Sequence, residues 1–365
     1  MTEKFSIVIP TYNEKDNIAP LLEEIDKALG KNYEYEVLFI DDNSPDKTAD
    51  VINSLSDKYP ARVIVRTEEK GLSTAVIFGF SQAKYDTIMV MDADLQHPPV
   101  VIPRLIQAIE DGNDIAVASR YVPGGGCEGW SKRRVLTSKG AIFIAHLLLP
   151  QSRRIADPMS GFFVFRKNIL NGLTLKPIGY KILLEMLCLA PNAEATEVPF
   201  MFRLRERGES KLNFNQHIEY LKHIFSLMVR TKELIRMISF AIVGASGILV
   251  NEGTRKILTI MNGQSADVWA APIGIELSII TNFTLNNFFT FRDKKASTPS
   301  AFVSKLLRYN VFSIIGALIQ YGVYMLLTRD AGMSAPPFDT IANLIGIGIA
   351  VIWNYCSNSW WTWKK

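Results

Sequence analysis

Two carboxylates one residue apart are the first feature of this 365-residue chain that could do chemistry. They lie in Met91-Asp92-Ala93-Asp94-Leu95-Gln96-His97-Pro98-Pro99, at the end of an apolar run. Side chains at i and i+2 of a strand share a face, so Asp92 and Asp94 project to the same side. Hard oxygen donors in an open position suit Mg²⁺ or Mn²⁺ that shares its coordination with a substrate diphosphate. Gln96 adds a neutral oxygen. The pattern has a second reading, in which Asp94 only caps the helix that begins after Pro98. His97 precedes two prolines and reads as a turn residue rather than a catalytic one.

The other reactive types are cations. Arg120 follows the apolar run 114–118, and Gly124-Gly125-Gly126 leads into Ser131-Lys132-Arg133-Arg134. Guanidinium groups bind phosphate through paired hydrogen bonds. The same run also reads as a basic patch drawn to anionic headgroups. Further on, Arg203, Arg205, Glu206 and Arg207 precede Gly208, Ser210 and Lys211. That cluster is either solvated charge or a mobile basic lid.

Such residues need a scaffold. Residues 5–9, 36–40, 62–65, 87–91 and 114–118 are short, nearly continuous apolar runs, which suit strands covered on both faces. Helical patterns at 16–29, 46–58, 72–83 and 99–111 alternate with them. Helix and strand taking turns predict an α/β domain with a mostly parallel sheet. Ligands of such sheets bind beyond the carboxyl ends of the strands, where the carboxylate pair sits.

Composition bounds the rest. Hydrophobic residues are 48% and charged residues 21% of the chain, which excludes disorder and collagen-like repeats. A net charge of +4 is too small to argue for nucleic acid. Three scattered cysteines (Cys127, Cys188, Cys356) exclude a disulfide framework or a thiolate zinc site. The mean hydropathy of +0.11 is high for a soluble enzyme, and its source lies after Arg236. Segments 237–251, 309–328 and 340–363 contain no Asp, Glu, Lys or Arg, and 268–291 contains only Glu276. A helix needs roughly 20 apolar residues to cross a bilayer. The first segment is short unless it continues past Glu252.

Four crossings are expected, with the basic loop 292–308 and Lys364-Lys365 inside. Arg255 and Lys256, on an outer link, count against that scheme. The N-terminus lacks a signal-peptide pattern, so the first domain and both termini are expected in the cytoplasm. Glu276, a carboxylate in an apolar segment, is a functional candidate or a partner of Arg292 or Lys256. Phe240–Ala245 matches Phe312–Ala317, and Asn282, Asn286, Thr290 and Phe291 match Asn354, Asn358, Thr362 and Trp363, always 72 residues apart. The constant offset predicts duplicated two-helix hairpins. Trp360, Trp361 and Trp363 fit an aromatic belt at the headgroups. Before this region, Phe214, Ile218, Leu221, Ile224, Phe225 and Met228 fall at helical spacing. They form either an interfacial helix on the bilayer or a surface helix packed on the first domain.

Residues 9–14 (Ile-Pro-Thr-Tyr-Asn-Glu), 40–48 (Ile-Asp-Asp-Asn-Ser-Pro-Asp-Lys-Thr) and the Asp92–Pro99 run strongly resemble glycosyltransferase family 2, in order along residues 5 to about 212. Ala118–Tyr121, Asp157–Phe163, Gly179–Glu185 and Arg205–Leu212 are similar to the dolichol-phosphate mannose synthase branch of that family. The last third resembles a GtrA-like four-helix domain.

The resemblance implies a GT-A (Rossmann-like) catalytic domain at 1–212, an amphipathic interfacial region at 213–235 and an all-α membrane domain at 236–365. It implies Asp92, Asp94 and Gln96 as the Mg²⁺ or Mn²⁺ site, with Asp92 also contacting the donor near the ribose. Pro10, Tyr12, Glu14, Asp42 and Ala93 would line the sugar-nucleotide pocket, and Arg205 and Lys211 would clamp the diphosphate. Sugar-acceptor relatives place a base carboxylate near the stretch that here reads Gly179-Tyr180-Lys181-Ile182, and no Asp or Glu follows until Glu185. A hydroxyl acceptor needs a base, whereas a phosphate monoester is already ionised at neutral pH. Arg120, Arg134 and Ser138 are therefore assigned to a lipid phosphate.

The implied reaction is inverting transfer of mannose from GDP-mannose to dolichyl phosphate at the cytoplasmic face of the bilayer. UDP-glucose is the alternative donor. A lipid-linked-sugar flippase with a sugar-nucleotide-binding module is the alternative of another class.

Overall fold

Strand residues of the N-terminal half are apolar on consecutive positions because helices cover both sides of their sheet. The computed structural model describes residues 3–176, 178–204, 214–263, 267–333 and 335–364. In β1 (Phe5–Thr11), Ile7 and Ile9 enter one core layer and Val8 the other, all fully buried. The chain continues through α1 (Lys15–Leu29), β2 (Tyr35–Asp41), α2 (Thr48–Leu55), β3 (Ala61–Val65), α3 (Leu72–Gln82) and β4 (Thr87–Val90). Next come α4 (Ile102–Glu110), β5 (Ile115–Ser119), β6 (Gly126–Cys127), α5 (Lys132–Leu148), β7 (Phe163–Arg166) and α6 (Ile182–Leu189). β8 (Ala195–Pro199), β9 (Met201–Phe202) and α7 (Phe214–Arg230) complete this unit, which ends at Thr231.

The main sheet has the order β3-β2-β1-β4-β7-β5-β8. Only β7 runs antiparallel to its neighbours. Leu21, Ile25 and Leu105 pack with Ile7, Ile9 and Phe39 on one side, and Val76 and Leu183 with Val8 and Ile40 on the other. Each such fully buried aliphatic side chain contributes about 1.5–3 kcal/mol. α3 lies so close to β1 that a Cβ on Gly79 would stand 2.4 Å from Val8 Cγ1.

The expected strands and helices are present with ends shifted by a few residues. α2 starts at Thr48, two residues later than expected, because the Asp46 side chain accepts from the Thr48 N–H (3.0 Å) and hydroxyl (2.6 Å). Apolar run length did not reveal β7 and β8. β7 is only four residues long, and β8 is a polar sheet edge. β7 matters for function. An antiparallel strand begins where its parallel neighbours end, so it delivers the preceding loop, Asp157–Phe162, to the sheet's ligand-binding edge.

The second unit, residues 232–365, contains α8 (Glu233–Asn262), α9 (Asp267–Leu285), α10 (Pro299–Met325) and α11 (Phe338–Ser357). All four are long and apolar enough to cross a membrane. The first does continue past Glu252, which pairs with Arg255 at i+3. The second helices of the two hairpins correspond at the expected spacing of 72: Asn282 packs against Gly247 as Asn354 packs against Gly316. The first helices correspond at 69 instead. Gly247 and Gly316 take equivalent places, as do buried Phe240 and Tyr309, and the matched Phe312 instead stacks on Trp361. The repeat in the letters is thus displaced by about one helical turn from the repeat in space. Phe291 and Trp363 stack on each other at 4.2 Å and 9°. Trp363 is accordingly a core residue and not part of an aromatic belt, whereas Trp361 is half exposed. Glu276 accepts from Asn310 Nδ2 at 3.1 Å rather than pairing with Arg292 or Lys256.

Candidate active site

The carboxylate pair follows β4 directly, and the way this turn is built decides which atoms it offers. The Asp92 N–H donates to His97 Nδ1 at 3.0 Å, so that nitrogen carries no proton. The His97 ring is buried, stacked on Phe162 and edge-on to Phe200 and Phe202. His97 holds the turn. Leu95 sits between Asp94 and Gln96 at φ +62°, a left-handed conformation that costs roughly 1–2 kcal/mol for a side chain with a Cβ. Asp94 is 6% exposed, and its Oδ1 accepts from the Gln96 N–H at 3.1 Å. It therefore caps its own turn and not the following helix. Gln96 donates Nε2 to the Arg203 carbonyl at 3.0 Å, which leaves its amide oxygen for a cation. Two carboxylates and one amide oxygen are the hard donor set that fits Mg²⁺ or Mn²⁺.

These residues line one cleft of about 1510 Å³. Pro10, Tyr12 and Glu14 arrive from the end of β1 and Asp42 from the end of β2, beside Asp92, Ala93, Asp94 and Gln96. Asp42 is more committed than its residue type suggested. Its Oδ1 accepts from Arg66 Nε at 2.8 Å, and its Oδ2 accepts from the Gly71 N–H at 2.7 Å. Lys70 Nζ lies 5.4 Å from the centre of the Tyr12 ring.

The cations occupy the other side of the same cleft. Arg120, just past β5, donates Nε and Nη2 to Asp157 at 2.7 and 2.8 Å. Asp157 is fully buried and comes from the loop that β7 delivers. Arg134 and Ser138 stand on α5, whose start is capped by Ser131 Oγ accepting from the Arg134 N–H. Ser138 Oγ accepts from Tyr121 Oη at 2.8 Å. Arg205 and Lys211 lie outside the described residues.

The GtrA/DPMS transmembrane domain model matches residues 239–363, and the family 2 glycosyl transferase model matches residues 6–174. A dolichol-phosphate mannosyltransferase of Pyrococcus furiosus is 46% identical over 360 residues, covering 99% of each chain. The chain belongs to the dolichol-phosphate mannosyltransferase family. It is a glycosyltransferase of GT-A type with a membrane domain. Another member, from Saccharomyces cerevisiae, is 36% identical over 255 residues, 66% of this chain and 94% of its own. The fold alone is shared with mannosyl-3-phosphoglycerate synthase of Rubrobacter xylanophilus, at 19% identity and a TM-score of 0.50 over 63% of this chain and 76% of that one.

Several wall residues of this family member were not foreseen. Gly71 is one of them, and together with Arg66, which is not part of the lining, it holds Asp42, a role that residue type does not announce. Lys181 lines the cleft in the stretch where the sequence offers no acid. Glu219 comes from α7, beside Gly179. Glu185, the nearest acid in the sequence, is fully buried instead and bound to Arg230 and the Lys176 N–H, with His223 Nε2 3.5 Å from its other oxygen. Burial alone would raise its carboxyl, but those donors hold it below its ordinary value. α7 splits its apolar residues between two faces. Ile224, Leu227 and Met228 are buried, while Ile218, Leu221, Phe225 and Val229 are exposed. It also donates Tyr220 Oη to the Ala141 carbonyl of α5 at 2.6 Å.

Burial pushes the Lys181 amine down to about 7; the nearby charge of Arg120 adds to this and the carboxylates of Asp157 and Asp92 oppose it. Between that value and the ordinary 10.5, the folded chain holds fewer protons than the unfolded chain, so this residue makes stability rise with pH across that window. Below it the buried charge is fully destabilising. Lys181→Met is therefore expected to raise the melting temperature most at pH 6, with the gain shrinking by pH 9. A gain that grows with pH would contradict the assignment.

Proposed function

We propose that this protein transfers mannose from GDP-mannose to a dolichyl or other polyprenyl phosphate with inversion, giving the β-linked lipid phosphate mannose and GDP. The observation that carries the reading is the single cleft with a hard-oxygen donor set on one side and paired guanidinium groups on the other. A diphosphate leaving group requires the first and an anionic nucleophile the second.

Asp92, Asp94 and the Gln96 oxygen would hold Mg²⁺ or Mn²⁺. When bound, such an ion offsets the charge that grows on the departing diphosphate, by several kcal/mol. Pro10, Tyr12, Glu14, Asp42 and Ala93 bind the nucleotide, and Arg205 and Lys211 close on its phosphates. Arg120, Arg134 and Ser138 orient the lipid phosphate, which attacks the anomeric carbon from the face opposite the diphosphate. No proton has to be removed from that nucleophile at neutral pH. A hydroxyl acceptor would instead need Glu219 as its base.

The exposed apolar stripe of α7, with exposed Leu136 and Phe143 on α5, supports docking of this face on the bilayer. The basic loop 292–308 and the C-terminal lysines support a cytoplasmic catalytic domain with both termini on that side.

The test offers radiolabelled GDP-mannose and UDP-glucose separately to the membrane-embedded protein with polyprenyl phosphate, followed by lipid extraction. Label in lipid from GDP-mannose alone is expected, with Glu219→Gln retaining most of the turnover. Lipid label from UDP-glucose alone would replace the donor assignment, and near-complete loss in Glu219→Gln would replace the acceptor assignment.

A further inference from the structure

Trp130 was not singled out by residue type, yet it stands where the two acceptor-side arginines meet. Its ring lies under both guanidinium groups, with Arg134 Cζ 4.0 Å and Arg120 Cζ 5.4 Å from its centroid. Phe202 meets it edge-on at 5.4 Å and 73°. The backbone is shaped to put it there. Gly129 adopts φ +62°, and a Cβ at that position would stand 2.3 Å from Leu204 Cδ2. The next residue, Ser131, caps α5 and so fixes the first turn that carries Arg134. The indole N–H is buried and has no acceptor among the described residues. The side chain nevertheless lines the cleft beside Arg120, Arg134 and Ser138.

We propose that Trp130 is the positioning residue of the acceptor-phosphate site, its ring holding the two guanidinium groups together and its Nε1–H reserved for a phosphate oxygen. The inference rests on the assignment of Arg120 and Arg134 to the acceptor phosphate. Before the anion arrives, the two like charges repel each other. The negative face of an indole attracts both, without the desolvation cost of a second buried carboxylate. Asp157 already occupies Nε and Nη2 of Arg120, so the aromatic contact constrains how that guanidinium presents its remaining donors. A buried donor without an acceptor is rare in proteins, and one beside two arginines is suited to an anionic oxygen. Bound phosphate would supply what this N–H lacks.

The experiment compares Trp130→Leu and Trp130→Phe with Arg120→Ala and Arg134→Ala in the full-length protein. It uses a short-chain polyprenyl phosphate in micelles as acceptor and calorimetry for GDP-mannose. Trp130→Leu is expected to raise the acceptor KM about tenfold, with donor affinity and kcat at saturating acceptor close to wild type. Trp130→Phe, which keeps a ring but lacks the N–H, is expected to lie between. A uniform structural disturbance would lower donor affinity and kcat as well, and would overturn the proposal. A Phe variant equal to wild type would overturn the N–H contact, and one equal to Leu would overturn the ring contact. If the arginine variants raise the acceptor KM and Trp130→Leu does not, the acceptor assignment stands and this inference fails. If the arginine variants also leave the acceptor KM unchanged, the acceptor assignment falls and takes the role of Trp130 with it.

Discussion

Asp94→Ala and Gln96→Ala are each expected to lower turnover by at least about a thousandfold, and a chelator is expected to do the same to the unaltered protein. The size follows from the charge on the leaving group. A departing nucleoside diphosphate gains negative charge as the sugar bond breaks, and several kcal/mol of that cost is offset by a divalent ion. Each 1.36 kcal/mol is tenfold in rate. Asp94 is also part of the turn itself, because its Oδ1 holds the Gln96 N–H at 3.1 Å beside the left-handed Leu95. Asp94→Asn separates the two contributions. It keeps an acceptor for that N–H but loses the charge, so it is expected to remain folded and nearly inactive. Rate measurements over a Mn²⁺ titration, beside calorimetry of GDP-mannose, make the comparison. Unimpaired turnover in chelator would refute the metal role.

Arg120→Ala and Arg134→Ala are expected to impair acceptor use roughly ten- to a hundredfold each, with GDP-mannose affinity changing little. That range corresponds to one lost charge-assisted hydrogen bond of about 1.5–3 kcal/mol. Arg205→Ala and Lys211→Ala are expected to impair both substrates. The position of Arg120 adds a further consequence. Asp157 is fully buried against it, so Asp157→Ala leaves a guanidinium unpaired and is expected to destabilise the domain by about 3–5 kcal/mol, apart from any kinetic effect. Steady-state kinetics in polyprenyl phosphate, donor calorimetry and thermal unfolding together resolve these effects. Were Arg134→Ala to lose GDP-mannose affinity with normal acceptor kinetics, the division of the cations between the substrates would be wrong.

Local patterns determined a good deal by themselves. The runs at 5–9, 36–40 and 87–91 had to be strands of a doubly covered sheet, because all but one position in each (Ser6, Glu36, Thr87) is apolar. Strand alternation does not reach Asp92 and Asp94, because β4 ends at Val90; the turn that follows, with Leu95 left-handed, brings both to the cleft. The three uncharged stretches and 268–291, with its single Glu276, had to be helices with mostly apolar surfaces.

Other features depend on partners far away in sequence, and no local pattern contains them. β7 and Asp157 enter the site because one strand runs backwards between β4 and β5. Asp42 is held by Arg66 and Gly71, which are 24 and 29 residues away. The apolar side chains of α7 look like one amphipathic face in the sequence, but packing against the neighbouring helices divides them into a buried and an exposed set. Trp363 resembles a headgroup anchor by composition, and its ring is buried against Phe291, 72 residues earlier in the chain. The reason is the same in each case. Periodicity records which side of an element is apolar, whereas the partner of each side is set by long-range packing that only the folded chain makes.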